Sequence, residues 1–129
     1  ATVAVAGRNP EHTHDLAGEM GVQAVLWGDI ASVPYDILIH CTPVGSEGAE
    51  QIALPVECLR PNTLVLDAVY RPLRTPLLEA AQEKGCTCIP GAEWFVRQAA
   101  AQFELFTQHK PDDALMRAAL EGVLSQSSQ

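Results

Sequence analysis

Several absences narrow the class of this chain before any motif is read. Basic residues are scarce: 8 Lys and Arg stand against 16 Asp and Glu, a formal net charge of −8. That is the wrong sign for a surface that neutralises phosphates along nucleic acid or anionic lipid, so neither is an expected partner. Long apolar runs are missing too. Ala24-Val25-Leu26-Trp27 and Ile37-Leu38-Ile39 are typical, far short of the roughly 20 residues that a membrane span needs. The chain opens on Ala-Thr-Val-Ala-Val, with no basic segment leading into an apolar stretch and a small-residue cleavage site, and no secretory leader is read. No G-x-G-x-x-G occurs, and no repeat or low-complexity linker divides the sequence.

What is present suits one ordinary globular domain: 129 residues, 47% of them apolar, enough for a real core. One domain over residues 1–124, with a polar, frayed tail at 125–129, is the expected organisation. Four cysteines, Cys41, Cys58, Cys86 and Cys88, would allow two disulfides. The chain is longer than small stapled scaffolds, however, and two of the four sit in apolar strand-like runs, so they read as reduced, cytosolic thiols buried as small apolar residues. A metal module around Cys86, Cys88 and His40 is a rival reading. It is weakened because Cys-x-Cys on a strand turns both sulfurs to one face with no second matching pair.

Read for organisation, Val3 to Ala6 is a strand ending at Gly7. Asn9-Pro10-Glu11 then starts a helix with Asn9 as N-cap, Pro10 at the first helical position, Leu16, Ala17 and Met20 on the apolar face, and Gly21 as the stop. Gln23 to Trp27 is a second strand and a polar stretch follows to Pro34. Asp36 to Cys41 is apolar on both faces, which predicts a strand buried on both. After Thr42-Pro43-Val44-Gly45, residues 46–51 read as a surface loop. Thr63 to Val69 is a strand, Thr75-Pro76 opens a helix through Leu77, Leu78, Ala81 and Lys84, and Cys86 to Ile89 is the last strand. From Gly91 to Thr107, Trp94, Phe95, Ala99, Phe103 and Phe106 recur at helical spacing. A final helix runs from about Pro111 through Leu115, Ala119 and Val123. Strands alternating with helices over short connections predict an α/β doubly wound domain with a mostly parallel sheet and ligands beyond the carboxyl ends of its strands.

Three segments carry more specific information: 36–45 (Asp36-Ile-Leu-Ile-His-Cys-Thr-Pro-Val-Gly45), 64–78 (Leu64-Val-Leu-Asp-Ala-Val-Tyr-Arg-Pro-Leu-Arg-Thr-Pro-Leu-Leu78) and 91–107 (Gly91-Ala-Glu-Trp-Phe-Val-Arg-Gln-Ala-Ala-Ala-Gln-Phe-Glu-Leu-Phe-Thr107). In this order they resemble the cofactor half of the shikimate dehydrogenase family, from Val3 to about Leu120. The last segment looks most like the form fused to dehydroquinate dehydratase. The resemblance implies a Rossmann-like fold lacking its first strand and Gly-rich turn, and an NADP-dependent enzyme that reversibly reduces 3-dehydroshikimate to shikimate in aromatic amino-acid biosynthesis. It implies a small-molecule substrate and, with the reduced thiols, a cytoplasmic setting.

Site residues follow from both sources. Arg8, after the first strand, offers a planar cation suited to a 2′-phosphate where an acidic residue would suit a free ribose hydroxyl, which favours NADP over NAD. Asn9 stands beside it. Thr42, Pro43 and Gly45 take the chain off a strand, where Gly45 permits close backbone approach to a ligand. The resemblance places that turn, with Val69, Gly91 and Trp94, on the nicotinamide side, and Tyr70 and Gln98 toward substrate. Departures are visible. The family's cofactor turn commonly reads Asn-Arg-Thr with a second basic residue further on, where this chain has Gly7-Arg8-Asn9 followed by Glu11 and His12. Trp94 and Ser46 replace methionines. The family's catalytic lysine and aspartate belong to a preceding domain, so no catalytic residue is assigned here and the 129 residues alone are expected to be inactive. Quinate/shikimate dehydrogenase and a non-catalytic α/β binding module are the alternative functions. A sheet without its central strand would leave two strands unpaired along one side. Either the Val3 strand pairs with the Asp36 strand, or two copies pair edge to edge as a homodimer.

Overall fold

The computed structural model describes residues 1–46 and 51–126, the side chains of 125 and 126 excepted. Residues 47–50 of the loop expected at 46–51, and 127–129 of the tail expected at 125–129, thus lie outside the described residues, while the backbone of 125 and 126 continues the last helix. The chain divides after Tyr35 into two compact units.

In the first unit, β1 (Ala4–Gly7) pairs in parallel with β2 (Gln23–Leu26), Ala4 opposite Gln23. Between them runs α1 (Pro10–Met20). Its start is built as the sequence predicts. The Asn9 side-chain oxygen accepts from the N–H groups of Glu11 at 3.0 Å and His12 at 3.2 Å, satisfying two amides that the helix itself leaves free. Gly21 ends the helix at φ 65°, a left-handed conformation that costs glycine nothing. The packed face differs from the expected one: Thr13 and Ala17 are buried, while Leu16 and Met20 are exposed. Helical spacing from Ala17 leads back to Thr13 (i, i+4), whose hydroxyl donates to the Asn9 carbonyl at 2.8 Å and so can enter the contact. The stretch after β2 is a 3₁₀ helix, Trp27–Ser32.

The second unit is a three-stranded parallel sheet in the order β3 (Ile37–His40), β4 (Leu64–Asp67), β5 (Thr87–Ile89). Connections between parallel neighbours must cross over, and α2 (Pro76–Glu83) makes the crossover from β4 to β5. Thr75 caps α2 by accepting from Leu78 N–H at 3.3 Å. The core lies around central β4: Val65, Leu66, Leu77, Leu78 and Ala81 are buried, with Leu54, Cys58 and Leu59 from the segment that follows β3. Beyond β5, α3 (Gly91–Thr107) packs against α4 (Asp113–Gln126). Glu93 on α3 accepts from Arg117 on α4 at 2.6 Å and from Arg97 at 3.0 Å. Those hydrogen bonds, Arg117's first, hold its carboxyl below the usual range.

Several expectations are corrected here. β3 is not buried on both faces: Ile37 is 58% and Ile39 56% exposed, while Leu38 and His40 turn to the covered side. Among the described residues β3 pairs with β4, and β1 pairs with β2. The aromatic stripe of α3 is not its packed face, since Trp94, Phe95, Phe103 and Phe106 are exposed and Val96 is buried. On α4 the covered positions are Met116, Leu120 and Leu124, one residue out of phase with the Leu115, Ala119 and Val123 read from the sequence. Finally, Cys41 is exposed rather than buried, and Cys86 and Cys88 are half-buried.

The observed core sets a simple contrast. Leu77→Ala should lower the unfolding free energy by about 2–5 kcal/mol, whereas Leu16→Ala, on the exposed side of α1, should change it by no more than about 0.5 kcal/mol. Urea denaturation of the two variants beside the parent chain measures both.

Candidate functional site

An aspartate ending an apolar strand is expensive unless every oxygen finds a donor. Asp67, the last residue of β4, is completely buried. Its Oδ1 accepts from Val69 N–H at 3.0 Å and lies 2.9 Å from His40 Nδ1. Its Oδ2 accepts from the Thr75 hydroxyl at 2.6 Å. Burial, the largest single influence, would raise the Asp67 pKa. The hydrogen bonds from His40, Thr75 and Val69 outweigh it together, and the carboxyl sits below its ordinary range. Among the described residues no buried side-chain polar atom lacks a partner.

Around this carboxylate the structure gathers most of the ligand-binding residues expected from the sequence in the second unit. His40 closes β3 opposite Asp67 in the parallel register, its carbonyl accepting from Ala68 N–H at 2.9 Å. Its Nε2 lies 2.5 Å from the hydroxyl of Thr42, which is exposed and also accepts from Val44 N–H at 3.4 Å. Pro43 accepts from Ser46 N–H at 3.1 Å and closes the turn. Gly45 sits in that turn at φ 89°, a conformation a side chain would strain, with Thr75 Cβ 3.9 Å from where its own Cβ would stand. Thr75 thus touches both the carboxylate and the turn.

The strand ends earlier than expected, at Asp67, so Val69 and Tyr70 lie in the segment that follows it. Val69 is buried, and its carbonyl faces the start of α3. A Cβ on Gly91 would fall 2.3 Å from Val69 O and 2.8 Å from Ala68 O, distances that no side chain tolerates. Gly91 is therefore first of all a packing glycine: it lets the first turn of α3 sit on the backbone beyond β4. Tyr70 stacks in a tilted contact with Phe95, ring centroids 5.2 Å apart. Trp94 and Gln98 are both exposed on α3, one turn apart.

Arg8 and Asn9 belong to the first unit. Asn9 holds the N-cap role expected of it: its side-chain oxygen is committed to capping α1, so only its amide remains to donate to a ligand. Arg8 is exposed and makes no ion pair among the described residues, leaving its guanidinium available to a phosphate. Gly7 packs tightly under α1, with Thr13 Oγ1 2.7 Å from the place of its missing Cβ.

The metal module gains nothing from this arrangement. Among the described residues no group of three or more His, Cys, Asp and Glu could hold a metal ion, and both ring nitrogens of His40 are engaged by Asp67 and Thr42. Burial pushes the Cys58 and Cys88 thiols up, toward the protonated form. The sequence reading overlooked the His40–Asp67–Thr75 cluster as a unit. A signal was present, because Asp67 interrupts the apolar run Leu64-Val65-Leu66 and such a residue must be paired inside.

The geometry defines a class: a Rossmann-like α/β chain of parallel strands whose carboxyl-terminal ends carry a tight turn, a buried carboxylate and a helix start. Comparison with known proteins narrows that class. Residues 91–121 match the family described as the shikimate 5′-dehydrogenase C-terminal domain. The chain is 36% identical over 124 residues to the shikimate dehydrogenase (NADP(+)) of an Exiguobacterium species, covering 96% of this chain and 47% of that protein. It is 44% identical over 89 residues to that of Thermococcus kodakarensis, covering 68% of this chain and 32% of the relative. Among solved structures, quinate dehydrogenase from Corynebacterium glutamicum in complex with NAD superposes with a TM-score of 0.83 at 30% identity, over 94% of this chain and 46% of that one. Shikimate 5-dehydrogenase from Thermus thermophilus, in complex with NADP(H) and shikimate, gives a TM-score of 0.81 at 33% identity, over 91% and 44%. The chain is thus a relative of the shikimate dehydrogenases, and it spans about half the length of the curated relatives it matches.

Two consequences can be measured. Because the folded pKa of Asp67 is lowered, its contribution to stability is full above the unfolded carboxylate value of about 4 and is lost as pH falls through the folded value. The parent chain should therefore lose more stability between pH 7 and pH 3 than Asp67→Asn, which starts weaker; urea midpoints at both values give the comparison. Gly91→Ala should destabilise the second unit by more than about 2 kcal/mol, because the new methyl meets backbone that cannot rotate away. Thermal unfolding by circular dichroism reads this.

Proposed function

We propose that this chain is the NADP-binding part of a shikimate dehydrogenase, which interconverts 3-dehydroshikimate and shikimate by hydride transfer with NADP(H). The observation that carries the reading is the alignment along almost the entire chain, at more than 30% identity, with enzymes of that name, together with a turn and a helix start held at the carboxyl ends of parallel strands. Ligands of doubly wound sheets lie at that edge.

The residues fit a dinucleotide of this kind. Arg8 has an unpaired, exposed guanidinium for a 2′-phosphate, with the Asn9 amide beside it. Thr42, Pro43 and Gly45 form a turn with an exposed hydroxyl, and Val69, Gly91 and Trp94 line the start of α3, where the nicotinamide side would be held. Tyr70 and Gln98 supply a phenol and an amide able to hydrogen-bond a hydroxylated ring. When bound, the nicotinamide supplies the hydride. The chain's own residues bind and orient, and the acid or base for the substrate oxygen comes from the part of the enzyme that this chain does not span. Alone, these residues transfer no hydride. Residues 1–124 serve as one cofactor-binding module, in the cytoplasm. Two copies can pair edge to edge along β3, which among the described residues pairs with β4 alone.

A second reading, a quinate dehydrogenase that accepts NAD, is favoured by one observation in the first unit. Glu11 stands in the first turn of α1 and Arg8 is the single cation beside it, and a structural neighbour is a quinate dehydrogenase holding NAD.

The test is a spectrophotometric assay of the full-length protein carrying this sequence, with shikimate and quinate, each against NADP and NAD. Shikimate oxidation with NADP is expected, and Arg8→Ala should raise KM for NADP by about tenfold or more while leaving that for NAD nearly unchanged. Preference for quinate with NAD would install the second reading, and inactivity with all four pairs would remove both.

A further inference from the structure

His40 stands between two groups of opposite character. On one side is Asp67, a carboxylate that is fully buried and held in its ionised form. On the other is the Thr42 hydroxyl, exposed at the rim. The spacing, 2.9 Å to Asp67 and 2.5 Å to Thr42, makes one continuous line of hydrogen bonds from the core to the surface. An ionised carboxylate can only accept, so the proton of Nδ1 is fixed on the Asp67 side. Nε2 is then the nitrogen left to meet Thr42, and its state sets what the hydroxyl can do. While it is bare it must accept, and the Thr42 hydroxyl spends its only hydrogen on it. Toward a ligand, Thr42 can then offer only a lone pair. Once Nε2 is protonated it donates to Thr42 Oγ1, and the hydroxyl hydrogen is released to point outward.

Among the described residues little else competes for the imidazole. β4 presents Asp67 as its single titratable side chain, and α2 begins with the neutral Thr75 and carries Glu79 and Glu83 exposed. The turn after β3 contributes Cys41, which is exposed. The three groups also match the order of hydroxyl, imidazole and carboxylate found in hydrolytic triads. The backbone N–H nearest the hydroxyl, that of Val44, points at Oγ1 itself, so it is not placed to hold an oxyanion. Steering of the hydroxyl proton is what the geometry serves.

We infer that His40 is a positioning residue that sets the direction of the Thr42 hydroxyl hydrogen bond, so that the Thr42 turn holds an acceptor oxygen of a phosphate, carboxylate or carbonyl more tightly when the imidazole is protonated. The inference rests on the reading that this turn faces the bound ligand. It assigns His40 no contact with ligand or reacting atoms, only control over the residue that makes one.

The test titrates NADP+ into the full-length protein by calorimetry between about pH 5.5 and 8.5, the range over which histidine commonly changes charge. Thr42→Val, Thr42→Ser and His40→Asn are run beside the parent, so that protonation of NADP+ itself is common to all four. The parent should lose about tenfold more affinity than Thr42→Val as pH rises, the worth of one hydrogen bond to a charged acceptor. Thr42→Ser should keep the parent's slope, and His40→Asn, whose amide does not titrate, should share the flat profile of Thr42→Val. Retention of the parent's slope by Thr42→Val, or by His40→Asn, overturns the inference, since the effect would then bypass the hydroxyl or the imidazole. If the parent binds no NADP+ at any pH, the proposed function falls separately. The inference is then decided by two-bond 1H–15N spectra of the His40 ring, in which a bare Nε2 at high pH that shifts in Thr42→Val supports it. A protonated Nε2 at high pH overturns it.

Discussion

The second unit depends on a carboxylate that has no access to water. Asp67 ends the central strand inside the apolar core, and three donors from three different segments converge on it: the imidazole that closes β3, the amide of Val69 just beyond β4, and the hydroxyl that caps α2. Leaving any one oxygen unpaired would cost about 1–3 kcal/mol, so the three segments hold their places together or not at all. The same hydroxyl of Thr75 that satisfies Oδ2 also accepts from the first turn of α2. A helix start, a strand end and a neighbouring strand end are thereby fixed to one point, at the edge of the sheet where the candidate site lies.

That arrangement explains why the site residues need little decoration of their own. Thr42 is anchored through His40, Gly45 lies against Thr75, and Gly91 brings α3 down onto the carbonyls of Ala68 and Val69. The site is positioned by backbone packed on backbone and by one buried network, both of which are stiff. A fixed rim of this kind suits a rigid dinucleotide-binding surface better than a mobile lid. The aromatic residues of α3 and the isoleucines of β3 stay exposed beside this rim.

Much of this was legible in the sequence. Asn9-Pro10 and Thr75-Pro76 mark helix starts, and Gly21 marks a helix end, because capping is local chemistry that works wherever the segment goes. The alternation of strands with helices, the parallel sense of the pairing and the motifs shared with the shikimate dehydrogenases could all be read from residue order. The faces could not. Leu16 and Met20 on α1, the aromatic residues of α3 and Leu115 on α4 are apolar and exposed, while Thr13 is polar and buried, since periodicity says which residues share a side but not which side meets a neighbour. Asn9 was legible both as the cap of α1 and as the neighbour of Arg8, because both follow from adjacent residues.

Local elements, their order and the family resemblance follow from residue order alone, for these rest on turn residues, caps and motifs acting over a few neighbours. Which strands pair, and that His40, Thr42, Asp67 and Thr75 form one hydrogen-bonded line, depend instead on packing between segments far apart in the chain. His40 and Asp67 are 27 positions apart in the chain, and nothing short of the parallel register that sets them side by side could make them partners.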